Sequence, residues 1–229
     1  IARTVMDPGL GGQDPGAKAR GLTEAALVLD IALRLEKLLL KERGVEVVLT
    51  RRTDTFIPLE ERTAVANRAE ADLFLSIHLN ASRNTAARGI ETYVLNFATT
   101  SDAEAIAARE NAASGGQMRQ LPDIVRAITL NNKIHETRDF ASSGQSGVYE
   151  RVRKIDRGAR NLGVKQAPFM VLMGATMPSV LAEVSFLTNR EEADLLKTEK
   201  YREQVAEALF AGVMAYQQSL KKATAVAAN

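Results

Sequence analysis

Residues 71–81 have the sequence Ala-Asp-Leu-Phe-Leu-Ser-Ile-His-Leu-Asn-Ala, and the apolar run inside it, Leu73 to Ile77, decides the fold. A strand with one solvent-exposed face alternates apolar and polar residues, whereas a nearly unbroken apolar run is typical of a strand buried on both faces. Helices must then cover both sides of the sheet. The run therefore predicts a central strand of an α/β domain.

The segments on either side of this run alternate between helix and strand patterns. Within residues 24–43 apolar side chains recur at a helical spacing of three and four, and Gly44 follows as a helix-ending residue. The predicted strands cover residues 2–6, 45–49, 73–77, 90–95, 169–173 and 180–184, and the predicted helices cover 24–43, 58–69, 191–196 and 201–220. Residues 101–157 are predicted to be helical, with breaks near Ser114-Gly115-Gly116 and Ser143-Gly144.

Together these patterns predict the fold class as α/β: a single domain with a mixed, mostly parallel sheet of about six strands, covered by helices on both faces. The domain is expected to span residues 1–220. The alanine-rich segment 221–229 is expected to be a frayed C-terminal tail.

Composition argues against several classes of protein. Lys and Arg (30) nearly balance Asp and Glu (28), aromatic residues make up 5%, and Trp is missing, which argues against a nucleic-acid partner. Without cysteine the chain has neither disulfides nor thiolate metal ligands. No apolar run approaches the roughly 18 residues of a transmembrane segment. Because the chain opens at Ile1 in strand-like sequence, we expect a mature or excised domain whose targeting segment has been removed.

Polar side chains stand where three apolar strands end. Asp7 follows the first strand, His78 follows the third, and Glu183 interrupts the last. Ligands of open α/β sheets bind beyond the carboxyl ends of the strands, so these side chains are candidates for a functional site. Glu24 opens the helix after a glycine-rich loop and is placed to project into the same crevice.

Each candidate also has a structural interpretation. His78 fits a core histidine or a metal ligand, Glu24 fits a first-turn dipole partner, and Asp7 fits a turn residue before Pro8-Gly9. Asn80 fits a residue that orients a ligand or an ordinary loop residue. Glu183 favours function, because a carboxylate among apolar neighbours is costly to bury unless it is paired or bound to metal.

Several segments, taken in order, resemble the zinc-dependent N-acetylmuramoyl-L-alanine amidases (amidase family 3, with an AmiC-like catalytic domain). They span nearly the whole chain, so the resemblance is more specific than any single motif. The matching segments are Val5 to Gly12, Asp14 to Ala17, Gly21 to Glu24, Val48 to Arg51, Pro58 to Arg62, Ser76 to Ala81, Gly89 to Tyr93 and Met177 to Asn189.

The resemblance implies a peptidoglycan hydrolase that cleaves the amide bond between N-acetylmuramic acid and L-alanine by zinc-activated water. By position, the Zn²⁺ ligands would be residue 10, Glu24 and His78, with Glu183 as the general base. Asn80 and Asp7 would then be second-shell or substrate residues. The family also implies peptidoglycan or muropeptide as partner, a periplasmic or exported location, a link to cell division and, in some members, an activator protein.

Position 10 departs from the family pattern. Where the family has a histidine, this chain has Leu10, which cannot bind metal. His135 is the only other histidine, and its polar helical surroundings predict a solvated side chain. The amidase is therefore expected to be impaired at its third ligand position.

Three hypotheses follow. The first is an amidase impaired by Leu10, and the second is a non-catalytic muropeptide-binding or regulatory domain on the same scaffold. A phosphate-binding loop over residues 9–21 is disfavoured, because the loop lacks the lysine of a P-loop.

Within residues 101–155, the segment 103–113 with Glu104 and Glu110, or the segment 121–136, either covers the site as an inhibitory helix or packs on the sheet as an ordinary helix.

Overall fold

The computed structural model describes residues 1–112 and 121–227. A six-stranded sheet with strand order β4-β1-β5-β8-β6-β7 forms the centre, and β2 and β3 form a small separate hairpin. The strands are β1 (Arg3–Pro8), β2 (Lys18–Ala19), β3 (Leu22–Thr23), β4 (Glu46–Leu49), β5 (Leu73–Asn80), β6 (Ile90–Leu95), β7 (Asn161–Ala167) and β8 (Ser179–Phe186). The helices are α1 (Glu24–Leu39), α2 (Leu59–Arg68), α3 (Ser101–Asn111), α4 (Leu121–Thr129), α5 (Ile134–Val152), α6 (Arg190–Leu196) and α7 (Glu199–Ala227).

The predicted fold class is confirmed. Within the sheet, β4, β1, β5 and β8 run parallel, β6 runs antiparallel to β8, and β7 is parallel to β6. The central strand β5 is buried at every one of its positions, as its apolar run predicts. Helices pack on both faces of the sheet.

The two faces of the sheet pack against different cores, because side chains alternate between the faces along a strand. One face presents apolar residues of β5 and β8, such as Leu75 and Val180, to a core shared with α1, α5 and α7. The opposite face presents Phe74 and Leu181 to a second core shared with α2, α3 and residues 167–173. Toward the carboxyl end of β5 this second face becomes polar, and the candidate functional residues lie there.

The predicted strand at 169–173 is wrong. Met170–Leu172 form a short 3₁₀ helix, and the sixth strand is β7, at residues 161–167. β7 lies at the edge of the sheet, where partial exposure lets Lys165 and Gln166 interrupt the apolar pattern that marks a buried strand. The run 169–173 is apolar because it packs into the second core.

Two helix boundaries also differ from the prediction. The break predicted near Ser143-Gly144 is wrong, since α5 is continuous through both residues. The break predicted near 114–116 lies outside the described residues. α7 continues to Ala227, through most of the segment 221–229 predicted as a frayed tail, and the domain boundary at 220 stays a prediction. In the described part of the chain, no helix is long and apolar enough to span a membrane.

Candidate functional site

Strand register brings three polar side chains into one row across the sheet. His78 on β5 pairs with Glu183 on β8, and Glu183 pairs with Glu91 on β6. Paired residues of neighbouring strands share a face, so all three lie on the side of the sheet that carries α3. All three are almost completely buried. His78 and Glu183 therefore meet as their strand positions predict, and Glu91, which was not a predicted site residue, lies beside Glu183.

Glu24 joins this row from the first turn of α1. Its carboxylate is fully buried: Oε1 accepts the Leu79 backbone N–H at 3.0 Å and lies 3.1 Å from His78 Nδ1, and Oε2 accepts the Ala17 N–H at 3.0 Å. The contact with His78 makes Glu24 part of the site.

Glu110 of α3 completes a cluster with these two residues. Its Oε2 lies 2.9 Å from His78 Nδ1, and one ligand atom each of Glu24, His78 and Glu110 falls within 4.8 Å of the others. From the sequence alone, Glu110 is predicted only as a member of a possible covering helix. A sharper signal was present, because Glu110 continues the buried stripe of Ala103 and Ala107 at helical spacing.

Charges in this cluster are strongly coupled. Burial alone would lower the pKa of His78, but the carboxylates of Glu110 and Glu24 raise it well above the usual range. Burial would likewise raise the pKa of Glu110, but His78 and Arg109 lower it to about 2. The cluster is thus an imidazolium held between two carboxylates, the arrangement that a bound cation would replace.

Glu183 has a different environment. Neither carboxylate oxygen has a hydrogen-bond partner among the described residues, and Arg109 Nη2 stands 3.7 Å from Oε1. Burial and the nearby charge of Glu110 raise its pKa well above the usual range, against the opposing effects of Arg109 and His78. A buried carboxyl group of this kind is suited to taking up and releasing a proton.

Leu10 borders the same cluster. A Cβ added to Gly16 would meet Leu10 Cδ1 at 2.0 Å and Glu24 Oε2 at 2.7 Å, so the two side chains lie next to each other. Residue 10 has a φ of 64°, a left-handed conformation that Arg62 helps to hold by donating to the Leu10 carbonyl at 2.9 Å. Position 10 therefore points at the metal donors, with an apolar side chain. His135 lies exposed on α5.

Asp7 and Asn80 differ from the other candidates. Asp7 is fully buried and accepts hydrogen bonds from Thr50 (2.6 Å), Ser76 (2.8 Å) and Arg62 (2.7 Å). Burial would raise the pKa of Asp7, but Arg62 and the two hydroxyls lower it. Asn80 donates to Glu91 at 2.5 Å and contacts none of the three donors directly.

A cleft of about 630 Å³ borders the cluster on the side of Glu110. It is lined by Leu10, Gly16, Arg109 and Glu110, among others, with Phe56 at its side. Because α3 supplies Arg109 and Glu110, this helix covers the donors from the cleft side. The Arg109 guanidinium secures the helix by donating to the Ala81 carbonyl at 2.7 Å.

Fold and site together define the class: an α/β domain with a buried histidine–carboxylate cluster able to hold a metal, next to a second buried carboxylate. The N-acetylmuramoyl-L-alanine amidase family profile matches residues 4–215, and the chain belongs to this family. The resemblance seen in the sequence is confirmed.

Individual relatives agree with this assignment. The chain is 36% identical over 225 residues to the amidase AmiC of Escherichia coli O6:H1, covering 93% of this chain and 52% of AmiC. It is 34% identical to AmiA of Escherichia coli K12, covering 93% of this chain and 75% of AmiA. The chain thus spans about half the length of AmiC. A crystal structure of an N-acetylmuramoyl-L-alanine amidase from Clostridium difficile 630 superposes with a TM-score of 0.73 at 31% identity, covering 95% of this chain and 97% of that one.

Proposed function

We propose that this chain is the catalytic scaffold of a zinc amidase that hydrolyses the bond between N-acetylmuramic acid and L-alanine in peptidoglycan. Its membership of the amidase family supports the reaction. The observation that carries the proposal for this chain is Glu183, which is buried without a hydrogen-bond partner among the described residues and paired in register with the metal-donor histidine. The substrate lies outside the cytoplasmic membrane, so we expect the protein to act in the periplasm or after export.

The residues present fit a zinc ion. Zn²⁺ is commonly held by histidine nitrogen and carboxylate oxygen in groups of three, with a fourth position left for water. Glu24, His78 and Glu110 supply such a set, and all three are buried. When bound, zinc makes water more acidic and polarises the carbonyl of the substrate.

The side chains of the protein account for the proton transfers. Glu183 takes a proton from the attacking water and returns it to the amine of the departing L-alanine. Its raised pKa keeps the transferred proton bound until the amine leaves.

Leu10 weakens metal binding in the form of the site in which α3 has moved away. With α3 in place, Glu110 is the third donor, but the same helix covers the cluster. If α3 moves to admit a muropeptide, only Glu24 and His78 remain, because position 10 offers no ligand atom. We propose that a bound activator protein displaces α3 and that cleavage by this chain is impaired by the loss of the third ligand.

A specific observation favours the second candidate function. Since Leu10 removes one donor while the cleft remains, a non-catalytic muropeptide-binding or regulatory domain fits the same structure. The two functions differ in metal content and in turnover, not in fold.

The test compares this chain with Leu10→His and Glu110→Ala by elemental analysis after dialysis against trace zinc, with muropeptide cleavage measured on the same samples. We expect the Leu10→His variant to hold about one zinc and to cleave. The parent is expected to hold less zinc than Leu10→His, and Glu110→Ala less than the parent. Cleavage by the parent at the rate of the Leu10→His variant would contradict the impairment. Absence of zinc from all three proteins would favour the binding domain.

A further inference from the structure

A second polar cluster lies beside the metal donors, around Glu91 of β6. This carboxylate is 1% exposed. Its Oε1 accepts hydrogen bonds from Asn80 Nδ2 at 2.5 Å and the Tyr93 hydroxyl at 2.9 Å, and its Oε2 pairs with Lys165 Nζ at 2.5 Å. The contacts fix Glu91 on three sides, and none of them involves Glu24, His78 or Glu110.

This arrangement determines how the Asn80 side chain is oriented. An ionised carboxylate only accepts hydrogen bonds, so the nitrogen of the Asn80 amide must face Glu91 and its oxygen must face away. Asn80 is fully buried, and its Oδ1 has no hydrogen-bond partner within the described residues. An unpaired buried acceptor is destabilising, which a ligand that donates a hydrogen bond would relieve.

The unpaired acceptor belongs to a cleft of about 810 Å³ that is distinct from the first one. Asn80, Glu91 and Lys165 line this second cleft, with Arg83 at its rim, and it shares Ala81 and Arg109 with the first cleft. Asn80 lies two residues beyond His78 on β5, which corresponds to about 6.6 Å along the strand. In an extended peptide the next backbone N–H lies about 3.5 Å beyond the scissile nitrogen, and a hydrogen bond of about 2.9 Å spans most of the remaining distance to Asn80.

We propose, building on the amidase function above, that the second cleft binds the peptide arm of a muropeptide through Asn80 Oδ1. The acceptor receives the backbone N–H of the residue after L-alanine. Glu91 is the positioning residue that keeps Asn80 in the accepting orientation. A peptide supplies an N–H at this spacing, and its carboxylates match the cationic Arg83 at the rim. The glycan arm is left to the first cleft.

The test uses two ligands that differ in one atom group: muramyl dipeptide, and its depsipeptide analogue with an ester oxygen replacing the N–H after alanine. Binding is measured by titration calorimetry on metal-free protein, so that no cleavage occurs. The unsubstituted protein and the Glu110→Ala variant are measured in parallel. We expect the amide ligand to bind roughly five- to tenfold more tightly than the ester, the usual effect of one hydrogen bond.

Variants separate the acceptor from the residue that positions it. In Asn80→Ala the amide and ester ligands are expected to bind equally. In Glu91→Gln, whose amide also donates, the Asn80 side chain can turn over and the preference should fall to about twofold or less. Glu104→Gln, an exposed position on α3 that lines neither cleft, is the control and should keep the full preference. Thermal unfolding of each variant checks that it is folded.

The outcomes distinguish this inference from the proposed function. Equal binding of the amide and ester ligands to the parent and to Glu110→Ala would overturn the role of Asn80 while leaving a muropeptide-binding groove in place. A full amide preference in Glu91→Gln would overturn the positioning role of Glu91. Failure of both ligands to bind either protein would overturn the muropeptide groove, and the inference with it.

Discussion

Two buried carboxylates at strand ends show how surroundings, not residue type, assign a role. Asp7 has an arginine and two hydroxyls as partners, and these lower its pKa although burial acts in the opposite direction. Glu183 has no hydrogen-bond partner in the described part of the chain, and burial raises its pKa. Asp7 therefore holds β1, β5 and α2 together through Arg62, whereas Glu183 remains available for proton transfer.

The Glu183→Gln substitution tests this division of roles. In the Leu10→His background we expect muropeptide cleavage to fall by about 100-fold or more, since glutamine cannot take a proton from water. Zinc content should not change, because Glu183 is outside the donor cluster. The free energy of unfolding in urea at pH 7 should not decrease, as glutamine resembles the neutral acid that burial favours. Glu104→Gln, on the exposed side of α3, is the control. Retained cleavage, or loss of zinc, would contradict the assignment.

The sequence predicts two members of the metal-donor cluster, Glu24 and His78, and misses the third, Glu110, for a physical reason. Strand ends of a parallel sheet converge, so His78 and Glu183 could be placed together from their positions alone. Glu110 comes from a helix after the fourth of the main-sheet strands, and its approach depends on how α3 folds back over the sheet. This contact depends on the tertiary fold, and the local sequence pattern indicates only that Glu110 lies on the buried face of α3.

At the scale of elements, the contact between α5 and α7 explains a wrong helix boundary. Glycine inside a helical pattern predicts a break, yet α5 runs through Gly144 and Gly147. A Cβ on Gly147 would meet Gly212 Cα of α7 at 2.9 Å, and a Cβ on Gly212 would meet Gly144 Cα at 3.0 Å. Gly147 and Gly212 lack a side chain because the two helix backbones approach closely, a requirement of packing that a single helix does not reveal.

Paired glycine substitutions test this explanation. Gly147→Ala should lower the free energy of unfolding by about 1–3 kcal/mol, because the added methyl group meets backbone that cannot move away cheaply. Gly144→Ala should raise it by about 0.5–1 kcal/mol, since its Cβ would enter open space and alanine favours the helix. Urea unfolding monitored by circular dichroism measures both. Equal effects of the two substitutions would show that helix propensity, not packing, decides.

At the scale of the whole molecule, one face of the sheet packs against an apolar core, and the opposite face carries the candidate functional site. The apolar core is closed by α1, α5 and α7, and the site lies under α3. Glu192 of α6 joins β6 to β8 at the site end: it is 1% exposed, and it accepts backbone N–H groups of Gly89 at 2.8 Å and Phe186 at 2.5 Å. A single buried carboxyl group thus links the strands that carry Glu91 and Glu183.

This carboxyl group makes global stability depend on pH. Burial raises the pKa of Glu192 from 4.5 to about 7, although the two N–H donors act to lower it. A raised pKa means that the folded state favours the protonated form, so its contribution is complete below about pH 4.5 and is lost as pH rises through about 7. Between about pH 4.5 and pH 7, the free energy of unfolding of the unsubstituted protein should fall by about 3 kcal/mol relative to that of Glu192→Gln, whose side chain does not titrate. Urea unfolding of both proteins from pH 4.5 to 8 measures the difference, and groups common to both cancel. Parallel curves would mean that the Gly89 and Phe186 N–H groups stabilise the ionised carboxylate enough to offset its burial.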